Sequence, residues 1–133
     1  MRYRALLVDD LGTLRPAPGR PVGDGGVAAL VRAARAAGLR TAVLSNADAV
    51  DPRAGFEALV DVVLVSGETG VRKPDPAAFA GAAARLGVPP EACLVVDDLP
   101  ENVRAAAALG MTGVLHRDDA STAEEVRVLL SLP

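Results

Sequence analysis

Residues Ala5 to Leu14 read Ala-Leu-Leu-Val-Asp-Asp-Leu-Gly-Thr-Leu, a short apolar run that stops at two acids and a Gly-Thr turn. A carboxylate at the exit of a buried strand is costly unless it is paired, hydrogen-bonded or bound to a cation. Three further apolar runs lead to polar residues in the same way. One reaches Ser45-Asn46, one a Gly-rich stretch Ser66-Gly67-Glu68-Thr69-Gly70 with Lys73 beyond it, and one Asp97-Asp98. Carboxylates from two strands can hold Mg²⁺, which takes one or two carboxylates together with water and substrate phosphate. A Ser hydroxyl and helix N-terminal amides can hold phosphate oxygens. A Lys can offset charge as a carboxylate attacks phosphorus, and an Asp in that setting is a covalent nucleophile. Each stretch alone has a plain structural explanation: Ser-Asn caps helices, a Lys before Pro is a solvated surface residue, and acids ahead of Leu99-Pro100 cap a helix. Four of them at four strand exits are hard to explain as capping.

The elements that must position these residues alternate between apolar runs and helical patterns. Ala5–Val8, Thr41–Leu44, Val62–Val65, Cys93–Val96 and Thr112–Leu115 read as buried strands. Helices are expected over Gly25–Ala37, with Gly38 at its C-terminal stop, and over Pro52–Leu59 as a short segment. A third runs from an Asp75 cap with Pro76 at its first position to Leu86, a fourth from Pro100 to Leu109, and a last one from Thr122 to Leu130. Strands without polar alternation, separated by helices, imply a parallel sheet covered on both faces. The expected fold is one domain, residues 1–133: a doubly wound, Rossmann-like α/β three-layer sandwich on a mostly parallel five-stranded sheet. Ligands then bind beyond the carboxyl ends of the strands. Arg15 to Gly26, rich in Pro, Gly and Arg, reads as a surface loop.

Composition narrows the function classes. Half of the residues are hydrophobic and 2% aromatic, so the core rests on Val, Leu and Ala. A net charge of -3 argues against nucleic-acid and anionic-membrane binding. The single cysteine, Cys93, permits no internal disulfide and reads as a small buried hydrophobe. The N-terminus is too soon acidic for a signal peptide, and a cytoplasmic location is expected.

The arrangement resembles the haloacid dehalogenase (HAD) superfamily, mainly Mg²⁺-dependent phosphohydrolases that work through an aspartyl-phosphate. The resemblance runs from Ala5 to about Arg117. Asp9-Asp10-Leu11-Gly12-Thr13-Leu14, Leu44-Ser45-Asn46, Val71-Arg72-Lys73-Pro74-Asp75-Pro76 with Phe79, and Val95-Val96-Asp97-Asp98-Leu99-Pro100-Glu101-Asn102 match its four motifs in order. The nearest branch is the subfamily (IA) that includes the phosphatase domains of epoxide hydrolases. The resemblance implies Asp9 as nucleophile and metal ligand, Ser45 and the Asn46 amide as phosphate binders, and Lys73 as the group that steadies nucleophile and phosphate. It implies Asp98 as the other carboxylate on Mg²⁺, Asp97 in its first or second shell, the backbone carbonyl of Leu11 facing the metal, and Asn102 in support. The substrate class is a phosphorylated small molecule.

Two departures qualify the function. Phosphatases of the family carry Asp two residues after the nucleophile as acid and base, whereas this chain has Leu11. Asp10 is a poor substitute, because adjacent side chains of an extended segment point to opposite sides and Asp10 should face outward. The family's cap domain also has no room: only Arg15–Arg40 and Ala47–Val71 lie at the two insertion points. An open site suits a macromolecular substrate or a homo-oligomer whose neighbouring subunit serves as lid. The alternative is a catalytically degenerate HAD-fold protein that binds metal, phosphate or a partner. Dehalogenases share an apolar residue at the position of Leu11 but lack the acid pair of Asp97 and Asp98. A response-regulator receiver needs an acceptor Asp where this chain has Val65-Ser66. His116, Arg117 and the Asp118-Asp119 pair read as solvated loop, and Arg72 as surface.

Overall fold

The computed structural model describes residues 2–133. Five strands, β1 (Ala5–Val8), β2 (Arg40–Ser45), β3 (Val62–Val65), β4 (Cys93–Asp97) and β5 (Thr112–Leu115), form one sheet in the order β3-β2-β1-β4-β5. Every pairing is parallel. The helices are α1 (Gly26–Ala36), α2 (Phe56–Leu59), α3 (Ser66–Thr69), α4 (Pro76–Leu86), α5 (Pro100–Ala108) and α6 (Asp119–Leu130).

Because successive strand residues face opposite sides, β1 feeds two cores. Leu6 and Val8 pack with Val43, Leu94 and Val96 against Leu30, Val31, Val126 and Leu130 of α1 and α6. Ala5 and Leu7 pack with Ala42, Leu44 and Val95 against Phe79, Ala82, Leu86 and Ala106 of α4 and α5. The result is the expected doubly wound three-layer sandwich. The chain winds outward from β1 to β3 on one side and from β4 to β5 on the other, which leaves a crevice at the carboxyl ends of β1 and β4, where such folds bind ligands. No cap domain interrupts the described residues. The stretch between β1 and β2 holds one loop and α1, and that between β2 and α4 holds only α2, β3 and α3.

Local signals explain most boundaries. Asp75 accepts from the Ala77 amide to cap α4, Pro76 occupies its first turn, and Gly87 ends it. Two helices near the ends of strands differ from expectation. The Gly-rich stretch after β3 is the helical turn α3; Gly67 lies so close to the Asp48 backbone that a side chain would collide with it. The last helix starts one turn early, capped by Asp118, whose carboxylate accepts from the Ser121 amide. Thr122 is buried inside that helix, its hydroxyl 2.7 Å from Nδ1 of His116, so His116 is packed rather than solvated. The loop after β1 is not wholly a surface feature either: Arg15 is 3% exposed. No helix of the described residues is long and apolar enough to cross a membrane.

Candidate active site

The carboxyl ends of β1, β2 and β4 and the loop before α4 meet in an open cleft of about 320 Å³ lined by Asp9, Leu11, Ser45, Asn46, Lys73, Asp98 and neighbours. Asp9, Leu11, Ser45, Asn46, Lys73 and Asp98 come together here, with Asp97 behind Lys73, whereas Asp10 and the Ser66–Gly70 stretch do not line the cleft. Lys73 stands at the centre, buried despite its charge. Its Nζ donates to Oδ1 of Asp9 at 2.8 Å, to Oδ2 of Asp97 at 2.8 Å and to the Leu44 carbonyl at 2.6 Å. An ammonium has three protons, so all of them are used.

Sequence inspection missed what holds Lys73 in place. The Asn46 side chain clamps its backbone: Oδ1 accepts from the Lys73 amide at 2.8 Å and Nδ2 donates to the Lys73 carbonyl at 2.9 Å. Asn46 therefore ties the end of β2 to the loop ahead of α4, and both polar atoms of its side chain are engaged by the Lys73 backbone. A Ser-Asn pair gives no hint of a partner 27 residues on. Ser45 is buried at the cleft floor, and its Oγ accepts from the Ala47 amide at 3.2 Å. Arg72 is exposed, as expected.

Asp97 is saturated. Beyond Lys73, its carboxylate accepts from the Leu99 amide at 3.0 Å and from Nδ2 of Asn102 at 3.2 and 3.3 Å. Asp9, Asp97 and Asp98 each present an oxygen within 4.8 Å of the others'. Among the described residues Lys73 is the only cation paired with these three carboxylates, and it pairs with Asp9 and Asp97. The excess negative charge and the hard oxygen donors suit a small divalent cation. The carboxyl of Asp9 is pushed up to about 7 by burial; Lys73 opposes the rise and the nearby Asp97 charge adds to it.

The turn that follows Asp9 is shaped by two contacts. Gly12 has φ +87°, and a β-carbon there would collide with the Asp98 carboxylate. Its amide donates to the Arg15 carbonyl at 2.9 Å. Asp10 does not face outward; it is 3% exposed. Arg15 Nε and Nη2 donate to its two oxygens at 2.8 and 2.7 Å, while Nη1 reaches Asp51 Oδ2 at 2.8 Å. This contact holds the Asp51 carboxyl well below the usual range. Asp10 and Arg15 thus build the wall beside the cleft. Leu11, which follows Asp10, is 41% exposed and lines the cleft together with Leu99, which is 45% exposed. Cys93 is far from this chemistry at the start of β4, its thiol pushed up to about 11 by burial.

The family model of haloacid dehalogenase-like hydrolases matches residues 19–110. A phosphatase of Mycobacterium tuberculosis is 40% identical over 88 residues, 62% of this chain and 41% of that protein. Phosphoserine phosphatase of Thermus thermophilus is 35% identical over 111 residues, 75% of this chain and 45% of that protein. The chain therefore spans less than half the length of these two relatives. An uncharacterised protein of Corynebacterium glutamicum superposes with a TM-score of 0.84 at 34% identity, covering 98% of this chain and 97% of the other.

Proposed function

The chain belongs to the haloacid dehalogenase-like hydrolases, and from that footing we propose that it is a Mg²⁺-dependent phosphatase in which Asp9 is the nucleophile. The observation that carries this reading is the Lys73 ammonium bridging Asp9 and Asp97, with Asp98 beside them in the cleft. Phosphatase relatives from two organisms agree with it and do not favour a purely binding role.

Asp9, Asp98 and the Leu11 carbonyl are the groups that would hold Mg²⁺, which when bound supplies charge to the phosphate oxygens. Asp97, with every lone pair directed at Lys73, Leu99 and Asn102, orients the lysine and adds charge from behind. Ser45 and the Asn46 amide receive the phosphoryl oxygens. Lys73 favours the anionic form of Asp9 against the effect of burial and fixes the position of its carboxylate. A phosphorylated small molecule fits the cleft volume.

The test is release of phosphate from an aryl phosphate with Mg²⁺ and with chelator, by the full chain and by Asp9→Asn. Turnover that needs both the metal and Asp9 supports the proposal. A folded protein with no metal-dependent turnover overturns it.

A further inference from the structure

The cleft contains no free proton donor for a departing group. Its titratable residues are Asp9, Lys73 and Asp98. Under the reading above Asp9 attacks and Asp98 holds the metal, while the three protons of Lys73 are directed at Asp9, Asp97 and the Leu44 carbonyl. Asp10, next in the chain, is buried in its two-pronged pair with Arg15. Beside Asp9, the same cleft is lined by Leu11 and by Leu99, both exposed. These are two of the three large hydrophobic side chains that the described residues leave exposed, the third being Val128 on α6.

On the phosphatase reading, we propose that the substrate is a phosphorylated compound whose leaving oxygen departs unprotonated as a stabilised anion, an aryl or acyl phosphate whose apolar body lies between Leu11 and Leu99. One carboxylate oxygen of Asp9 attacks phosphorus. The bond from phosphorus to the leaving oxygen breaks, and its electron pair leaves with a phenolate or carboxylate that takes no proton. Water then attacks phosphorus, the bond to Asp9 breaks with its electron pair returning to the carboxylate, and the water's proton passes to bulk solvent through the open mouth. Alkyl phosphates, whose alkoxide must be protonated as it leaves, are poor substrates. General acid assistance contributes about 10²–10⁴-fold, and this is the margin by which they fall behind.

The experiment is a leaving-group series in Mg²⁺ buffer: 2,4-dinitrophenyl, 4-nitrophenyl, phenyl and propyl phosphate, with acetyl and benzoyl phosphate as the acyl arm. In the wild type, kcat/KM should fall steeply as the leaving group becomes more basic. Leu11→Asp should flatten that dependence, raising phenyl phosphate turnover by about 10²–10⁴-fold and dinitrophenyl phosphate turnover far less. Leu11→Asn, which cannot give up a proton, should leave the slope steep. Benzoyl over acetyl phosphate, and a KM for phenyl phosphate that rises in Leu99→Ser, would report the apolar contact. Turnover with a flat slope in the wild type, or a Leu11→Asp gain equal across the series, overturns this inference and leaves the phosphatase reading standing. No turnover of even the dinitrophenyl ester overturns both.

Discussion

Arg15 is the residue whose removal should be felt most widely outside the catalytic set. Its guanidinium satisfies both oxygens of Asp10, reaches Asp51 and the Arg20 carbonyl at 2.8 Å each, and lies 5.1 Å from the centre of the Phe56 ring. In Arg15→Met the Asp10 carboxylate keeps its burial and loses its counterion. Breaking one side of a buried pair costs about 3–5 kcal/mol. For a domain of this size each kcal/mol moves Tm by roughly 3–5 °C, so Tm should fall by roughly 10–25 °C. Thermal and urea unfolding at neutral pH would measure this. The double variant Asp10→Leu, Arg15→Met removes both charges and should recover most of the loss, because apolar replacement of a whole buried pair is often neutral. If Arg15→Met loses less than about 1 kcal/mol, or the double variant is no more stable than the single one, the pair is not what holds this wall of the cleft.

Burial pushes the carboxyl of Asp9 up to about 7. A folded-state value above the unfolded one favours the protonated form, so its contribution to stability is complete below the ordinary value of 3.8 and is lost progressively as pH rises from there through about 7. Mg²⁺ needs the anion, so its affinity measured calorimetrically should climb about tenfold per pH unit below that value and level off above it; an affinity independent of pH would remove Asp9 from the metal site. Gly12→Ala combines a left-handed backbone with a collision against Asp98. It should destabilise by more than about 1 kcal/mol and weaken Mg²⁺ binding at least about tenfold, whereas unchanged Mg²⁺ affinity would show that the turn does not position Asp98.

The periodicity of the chain is enough to place all five strands and three of the six helices closely, and the last helix to within one turn, because buried parallel strands are apolar throughout and Asp75-Pro76 and Gly87 mark their helix ends plainly. The short helix before β3 was expected, though longer than its four residues. It failed where a tertiary contact overrides a local signal. Gly67 and Gly70 look like loop residues, yet the turn between them is helical and Gly67 is needed for the approach of Asp48. Thr122 has the spacing of a cap but is used inside the helix, by His116. Within the cleft, residue types and strand exits pointed to Asp9, Ser45, Lys73, Asp97 and Asp98. They could not reveal that Asn46 grips the Lys73 backbone, or that Asp10 turns inward to Arg15, since both contacts depend on how loops return over the sheet.

Residue 11 divides two tasks between backbone and side chain. Its backbone is fixed from both sides, by the buried Asp10–Arg15 pair and by the Gly12 amide bound to the Arg15 carbonyl. Its side chain projects into the mouth of an uncovered cleft, where solvent reaches it and no neighbour constrains its type. An acid could stand there at little desolvation cost, because the position is open to water. The fold therefore does not force Leu11. On the phosphatase reading, what the leucine would change is the chemistry: Asp9, Lys73 and the supporting carboxylates are kept, while the choice of leaving group passes to the substrate.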